Sequence, residues 1–250
     1  MTVYIEAPTP ERALAYCEEQ TRTKKPPHLN FTYFQRHKDA SGLFLDIGAH
    51  AGQSVAYLSS IMPNVSFMAF EPNPLFARCR DFLLSELGNR LQWSNKAVSD
   101  TEGTANLIVP KVTSEIQYTP GTATYMGPSS RASLSEAHFQ KRGVLDSLTR
   151  HRQNATVEME RVTVETITID SLELAPSFVK IDVEGFEINV LRGMEQTIRK
   201  SHPIFMIEKN EHKEVVSFLS SLGYTANSFI DGDLLPFEDH QGVNDIFFLP

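Results

Sequence analysis

The sequence predicts an α/β fold in which a parallel sheet is flanked by helices. Three observations point there. Short apolar runs recur along the chain as LFLDI, VSFMAFE, SFVKID and IFMIE, each ending at or just beyond an acid, and their length suits strands buried on both faces. Amphipathic segments with apolar residues at helical spacing separate them. In FLDIGAHAGQS, Phe44 to Ser54, a strand breaks at an acid into two glycines and a helix follows at once. The 250 residues, 41% of them hydrophobic, suffice for one large domain with its own core.

Taken in order, a charged helix is expected over 10–20, either folded over a cleft or presenting ordinary solvated surface. A strand follows over 43–47. Val55, Leu58 and Met62 stripe a helix from Gln53 that Pro63-Asn64 ends. A second strand spans 65–71, and Leu75, Cys79, Phe82 and Leu83 mark a helix stopped by Gly88. LQWSNKAV supplies a third strand, and the β-branched stretches 104–109 and 157–169 read as extra strands around a central loop. SFVKID resumes the core pattern. Val190, Leu191, Met194 and Ile198 form one apolar stripe, IFMIE another strand, and Val215, Phe218, Leu219 and Leu222 a helix closed by Gly223; VNDIFFLP is the last strand. No fixed-period repeat is present. The division expected is an N-terminal helical extension over 1–42 and a main domain over 43–250, with an acceptor-binding insertion at 110–155.

Charge and cysteine content exclude several classes. With 23 basic and 31 acidic residues the formal charge is −8, which leaves no electrostatic footprint for gripping a nucleic acid. Cys17 and Cys79 alone offer neither a disulfide framework nor metal-thiolate spacing, and a reducing cytoplasm is expected. The first residues lack a basic stretch followed by an apolar run, and no apolar stretch is long enough to span a bilayer, so no export and no membrane span are expected.

A helix that starts directly after a strand points unpaired N–H groups and a positive dipole end at whatever lies above the turn. Gly48 and Gly52 allow close backbone approach, or simply solve a packing problem. A dinucleotide fingerprint starting at Gly48 would need glycine where His50 and Gln53 stand. The second strand ends in FEPNP, and Glu71 lies 19 residues after Gly52, near the distance expected of an acid that accepts from both ribose hydroxyls. Its other reading is a helix-start acid beside Pro72 and Pro74.

DIGAHAGQS, AFEPNP, NKAVSDTEG and above all FVKIDVEGFEINVLRG followed by PIFMIE resemble the FkbM-type S-adenosylmethionine-dependent methyltransferases. The likeness covers roughly 43–109 and 162–249. His50 departs from it, since the family more usually has asparagine there. The resemblance implies a class I methyltransferase, a Rossmann-like three-layer sandwich with a mostly parallel sheet and an antiparallel last strand. It further implies that Asp46 and the turn through Gly48, Ala49 and Gly52, with the adjoining Gln53 and Ser54, hold the methionine end of S-adenosylmethionine. Glu71 with Pro72 would hold the ribose, and Asn95 to Ala97 would border the adenine. The donor is a permanent cation, so carboxylates around the cleft favour its capture over the neutral product.

Lys180 and Asp182 fall on one face of a strand expected to be buried on both sides, where an unpaired lysine is costly. Asp182 and Glu208 are the expected partners. On a purely structural reading this is an ion pair, with Glu184 and Glu187 capping the next helix. Methyltransferases acting on base amino groups commonly carry an Asn/Asp-Pro-Pro-Tyr pattern at that strand end. Asp182-Val183-Glu184-Gly185 stands here instead and points to a hydroxyl acceptor. An alcohol needs a base, a metal or both: Asp182 is the first candidate base, Glu184 the second, and Glu208 the third carboxylate of the site. The same strand ends offer Asp182, Glu208 and Asn210 as oxygen ligands for Mg²⁺, as in catechol-type O-methyltransferases.

His50 either orients an acceptor hydroxyl or is a structural histidine, and the other seven histidines show no ligand spacing. The segment TSEIQYTPGTATYMGPSSRASLSE, with Tyr118 and Tyr125, is expected to form an acceptor-binding lid. Three functions are compatible with these features. They are an O-methyltransferase acting on a sugar, glycolipid or secondary-metabolite hydroxyl, a non-catalytic interaction module on the same fold, and an NAD-dependent oxidoreductase, against which the two missing glycines stand.

Overall fold

The computed structural model describes residues 2–5, 9–117, 132–140, 144, 153–210, 212–239 and 244–250. The chain opens with β1 (Thr2–Ile5) and α1 (Pro10–Thr23), whose entry is fixed by the Thr9 side chain accepting from the Arg12 amide and by Pro10 in the first turn. A 3₁₀ helix spans Leu29–His37. Then come β2 (Gly42–Ile47), α2 (Gln53–Ile61), β3 (Val65–Phe70), α3 (Ala77–Leu87) and β4 (Leu91–Ser94). The strand expected over LQWSNKAV is thus broken, its second half being β5 (Ala97–Val98), which leaves for another sheet. There β6 (Gly103–Gln117), far longer than the stretch 104–109 expected, and β7 (Gln153–Ile167), which starts and ends before the stretch 157–169 expected, form a long antiparallel pair, with β1 on one edge and β5 on the other. Between their ends lies the short α4 (Glu136–Gln140). Tyr118 and Tyr125, the aromatics expected in the lid, lie outside the described residues.

The second half returns to the main sheet with β8 (Pro176–Ile181), α5 (Glu187–Arg192), α6 (Glu195–Ser201), β9 (Ile204–Glu208), α7 (His212–Ser221), β10 (Thr225–Ile230), β11 (Asp233–Pro236) and β12 (Asp245–Leu249). Where one helix was expected over 190–198 there are two. The cause is Asp170, whose carboxylate accepts from the amides of Gln196 and Thr197 and so supplies α6 with a start of its own. The β10–β11 hairpin was not anticipated; its turn is Asp231-Gly232, both in the left-handed region as a two-residue hairpin turn requires.

The eight-stranded sheet has the order β11-β10-β12-β9-β8-β2-β3-β4. From β4 to β9 the strands are parallel, and β12 runs antiparallel between β9 and β10. Side chains alternate between two cores. Phe44, Phe67, Phe178, Met206 and Phe247 pack against α1, α2, α3 and the 3₁₀ helix. Leu45, Ile47, Val179, Ile181, Ile207 and Ile246 pack against α5, α6 and α7. This gives three layers. Cys17 and Cys79 are buried free thiols. Among the described residues no helix is long and apolar enough to cross a membrane.

The segment 1–42, set apart from the sequence as an extension, carries Phe31, Tyr33 and Phe34, which belong to the first core. Phe34 is fully buried and meets the rings of Phe44, Phe178 and Phe247. Phe34→Ala is expected to cost about 3–5 kcal/mol in a urea titration. A loss below about 1 kcal/mol, the scale of a surface change, would show that the 3₁₀ helix is a detachable cover.

Candidate active site

The site grows from the carboxyl edge of β2, β3, β8 and β9. Past Ile47 the chain turns sharply, and the amides of Gly48 and Ala49 both donate to the Phe70 carbonyl at 3.0 Å, fastening the turn to β3. Gly48 has φ +80°, and a Cβ there would lie 1.8 Å from the Asp182 carbonyl oxygen. Only glycine lets the turn lie against the end of β8. His50 follows with φ 53°, and Gly52 starts α2.

Glu71, at the end of β3, accepts from the His50 amide and the Asn73 amide, each at 2.8 Å, one on each carboxylate oxygen. It therefore ties the glycine turn to the FEPNP loop and keeps lone pairs for a ligand. Burial raises its pKa to about 7, against the pull of the two amides. His50 is also desolvated, which lowers its pKa to about 4. The neutral ring places Nδ1 3.3 Å from Gln53 Oε1 and packs on Phe76, while its buried Nε2 has no hydrogen-bond partner.

Lys180 Nζ donates to the Gly48 carbonyl at 2.7 Å and lies 3.2 Å from Asp46 and 3.4 Å from Asp182. The partners expected for this lysine were Asp182 and Glu208. The structure puts Asp46 in place of Glu208. Burial works against the ammonium, but Asp46 and Asp182 outweigh it and hold its pKa above the ordinary value. For Asp182 burial is likewise overcome, by Lys180 and by a hydrogen bond with Glu208, and its pKa is lowered. Glu208 moves the other way, raised by burial and by the charges of Asp182, Glu184 and Glu187. Of the two neighbouring acids, Glu208 therefore keeps its proton to higher pH than Asp182.

Of these groups Gly48, His50, Gln53, Glu71, Asp182, Glu184 and Glu208 line one cavity of about 230 Å³, while Asp46, Lys180 and Glu187 lie outside its lining. In the strand order β9-β8-β2-β3, Glu71 and Pro72 follow β3, Asp182 and Glu184 follow β8, Glu208 ends β9, and Gly48, His50 and Gln53 follow β2; Ala97 of β5 also lines the cavity. Asp46, Ala49, Gly52 and Ser54 are buried outside its lining, and Asn95 is exposed away from it. No residue of α1 lines it. Ala132, Ser133 and Leu134, which no sequence signal marked, form part of the wall. The Ser133 hydroxyl donates to the Glu184 carbonyl at 2.7 Å. Asn210, expected among metal ligands, donates its amide to Glu208 and, at 3.4 Å, to Glu187. The carboxylates that do converge, within 4.8 Å of one another, are those of Asp182, Glu184 and Glu208.

A parallel core with one antiparallel strand between its last two parallel members, a glycine turn after the first core strand and an acid ending the second define a class I, Rossmann-like methyltransferase fold. The chain belongs to the FkbM methyltransferase domain family, whose profile matches residues 46–226. It is similar to the crystal structure of methyltransferase FkbM from Methylobacillus flagellatus KT, with a TM-score of 0.52 and 14% identity, over 84% of this chain and 44% of that one. The chain thus spans less than half the length of that relative. It is also similar to a precorrin-6y C5,15-methyltransferase from Geobacter metallireducens GS-15, with a TM-score of 0.42 and 13% identity, over 88% of this chain and 84% of that one. No curated protein sequence matches the chain.

Two measurements test the electrostatics. Lys180→Met leaves Asp46 buried and unpaired and is expected to cost about 3–5 kcal/mol in chemical denaturation, part of it recovered by adding Asp46→Leu. An unchanged midpoint would mean that the ammonium is not what holds the turn. Because the Glu71 carboxyl rises from 4.5 to about 7 on folding, the stability linked to it is full below about pH 4.5 and is lost as pH rises through about 7. Glu71→Gln is therefore expected to flatten the fall in Tm across that window. Asp245, also raised to about 7, and Glu208, Glu187 and Asp46, raised as well, contribute to the slope that remains.

Proposed function

We propose that the protein is an S-adenosylmethionine-dependent O-methyltransferase acting on a hydroxyl of a sugar, glycolipid or secondary metabolite. The observation that carries this is the convergence of the Asp182, Glu184 and Glu208 carboxylates, within 4.8 Å of one another, in the cavity that Glu71 and the glycine turn also line. A site ringed by carboxylates fits a cationic donor, and Glu71 retains acceptor capacity for a ribose diol. Gly48, His50 and Gln53 line the stretch between, where the methionine portion would lie. When bound, S-adenosylmethionine supplies a methyl on a sulfonium, whose carbon–sulfur bond breaks as the acceptor oxygen–carbon bond forms.

The protein's share is to take the proton. Asp182 accepts it from the acceptor hydroxyl as that oxygen becomes the nucleophile. Lys180 keeps Asp182 ionised beforehand, and Glu208 steadies it by donating its own hydrogen bond. A Mg²⁺ ion fits this arrangement less well. The Lys180 ammonium already stands 3.4 Å from Asp182, and the Asn210 amide nitrogen is turned toward Glu208.

Asp182→Asn keeps the size and removes the basicity. Turnover is expected to fall about 10²–10⁴-fold while the affinity for S-adenosylhomocysteine changes little. Full turnover in the variant would remove Asp182 from the chemistry. Collapse of wild-type activity on adding EDTA would assign the carboxylates to a metal. Thermal stabilisation by NAD and not by S-adenosylhomocysteine would replace the proposal with an oxidoreductase.

A further inference from the structure

The N-terminal helix carries one half of a pair of nucleophiles that methyl transfer leaves unused. Cys17 on α1 and Cys79 on α3 are the only cysteines of the chain, and both are fully buried in the first core. They are far apart in sequence yet meet in space, because α1 packs along α3 and the two thiols hydrogen-bond to each other. No disulfide joins them.

The two sulfurs are not equivalent. Cys79 is the third residue of α3, inside the first turn, where unpaired amides and the positive end of the helix dipole favour a thiolate. The Cys17 thiol donates to the Cys79 sulfur, which also accepts from its own backbone amide. Together these bonds hold the Cys79 pKa below the ordinary value, against burial and the charges of Glu18 and Glu71. Cys17 sits in the middle of α1, and its pKa is raised by the bond to Cys79 and then by burial. This is an attacking sulfur beside a resolving one.

The pair reaches the cavity through one short piece of chain. α3 starts directly after the 3₁₀ turn Pro74–Phe76, and the Phe76 ring both lines the cavity and lies 4.1 Å from that of His50. α1 packs on that turn as well, from outside the cavity, since no α1 residue lines it.

We propose that Cys17 and Cys79 are a redox pair that a hydroperoxide closes to a disulfide, and that the new bond loosens the ribose end of the cavity. The second half rests on the methyl-transfer proposal above. The Cys79 thiolate attacks the peroxide, the oxygen–oxygen bond breaks, hydroxide leaves and a sulfenic acid forms. The Cys17 sulfur then attacks the Cys79 sulfur, and its proton leaves with the sulfenic oxygen as water. The thiols lose two electrons and the peroxide gains them, ending as two waters once hydroxide takes up the proton that Cys79 released. A disulfide brings the sulfurs to about 2 Å, far closer than a thiol–thiol hydrogen bond. It therefore draws α3, and Phe76 with it, toward α1 and away from the glycine turn. The oxidant is hydrogen peroxide because full burial of both sulfurs excludes bulkier disulfides.

The test compares protein reduced with dithiothreitol and the same protein treated with hydrogen peroxide. Expected after oxidation are a monomer lighter by two hydrogens, a linked Cys17–Cys79 peptide, and a Tm higher by about 5 °C or more. The Kd for S-adenosylhomocysteine is expected to weaken about threefold or more, and dithiothreitol to reverse every change. Cys79→Ala removes the attacking sulfur, so it should bind as the reduced wild type does and be unmoved by peroxide. Should that variant fail to fold, the wild type with and without dithiothreitol still decides. Two thiols open to alkylation in the unfolded protein after peroxide, or a sulfinic acid in place of the linked peptide, overturn the proposal. A linked peptide with an unchanged Kd overturns the connection to the cavity. If the reduced protein does not bind S-adenosylhomocysteine, the methyl-transfer proposal falls instead, and the linked peptide and Tm decide the redox pair.

Discussion

Lys180 sits on a strand covered on both faces, its side chain 5% exposed, where an unpaired ammonium would cost several kcal/mol. Two carboxylates and one carbonyl answer that charge, and each belongs to a different part of the site. Asp46 is the buried end of β2, the Gly48 carbonyl is the first peptide of the glycine turn, and Asp182 is the acid in the cavity. Moving any of the three away strands the charge. The ammonium thus sets the distance between the turn that would carry the donor and the acid that would serve the acceptor. A buried ion pair is a poor source of net stability but a strong constraint on geometry. It also helps to set the two neighbouring acids apart, since Lys180 lowers the pKa of Asp182 while burial and the charges of Asp182, Glu184 and Glu187 raise that of Glu208.

Most of the fold was legible because its core strands are buried on both faces. LFLDI, SFVKID and IFMIE are continuous apolar runs, and all three become central parallel strands. What escaped was set by partners far away in sequence. β10 has the burial of an edge region, with Asn227 and Ser228 at its centre, and forms because β12 and β11 supply the ladders on either side. The break between α5 and α6 comes from Asp170, more than twenty residues earlier, capping amides that a local reading assigns to one continuous helix. The 3₁₀ helix over Leu29–His37 has no 3.6-residue stripe to show, yet its three aromatic rings close the first core.

At the site, residues with one chemical duty were legible and residues with an architectural duty were not. Glu71, Asp182, Glu184 and Glu208 stand out as acids at strand ends and all reach the cavity. Asp46 looks the same in sequence but is fully buried beneath Lys180. Position at a strand end does not tell which acid faces the cleft, because that depends on where the neighbouring cation points. Asp245, paired with Glu208 but outside the cavity lining, was passed over for a related reason. Its strand is antiparallel, so its start, not its end, falls at the carboxyl edge, and a rule built on parallel strand ends passes over it.

The Glu184-Gly185 turn shows how the second sheet is drawn into the site. Glu184 has φ 53° and Gly185 φ 86°, two consecutive left-handed residues separated from Asp182 by Val183 alone. A non-glycine residue in that region costs of the order of 1–3 kcal/mol and persists only where its surroundings hold it. Here they do so from outside the main sheet. Ser133 is bridged to Ile108 on β6 by two backbone hydrogen bonds and spends its hydroxyl on the Glu184 carbonyl. His138, on α4, packs so tightly over the turn that a Cβ on Gly185 would meet its Nδ1 at 2.6 Å, and its Nε2 lies 3.5 Å from the Glu184 carboxylate. The glycine of the DVEG run is thus demanded both by its backbone angle and by the imidazole of His138. Through Ser133 and His138 the segment 132–140 fixes the Glu184-Gly185 peptide beside Asp182, and its sequence and that of the turn are constrained by the same contact.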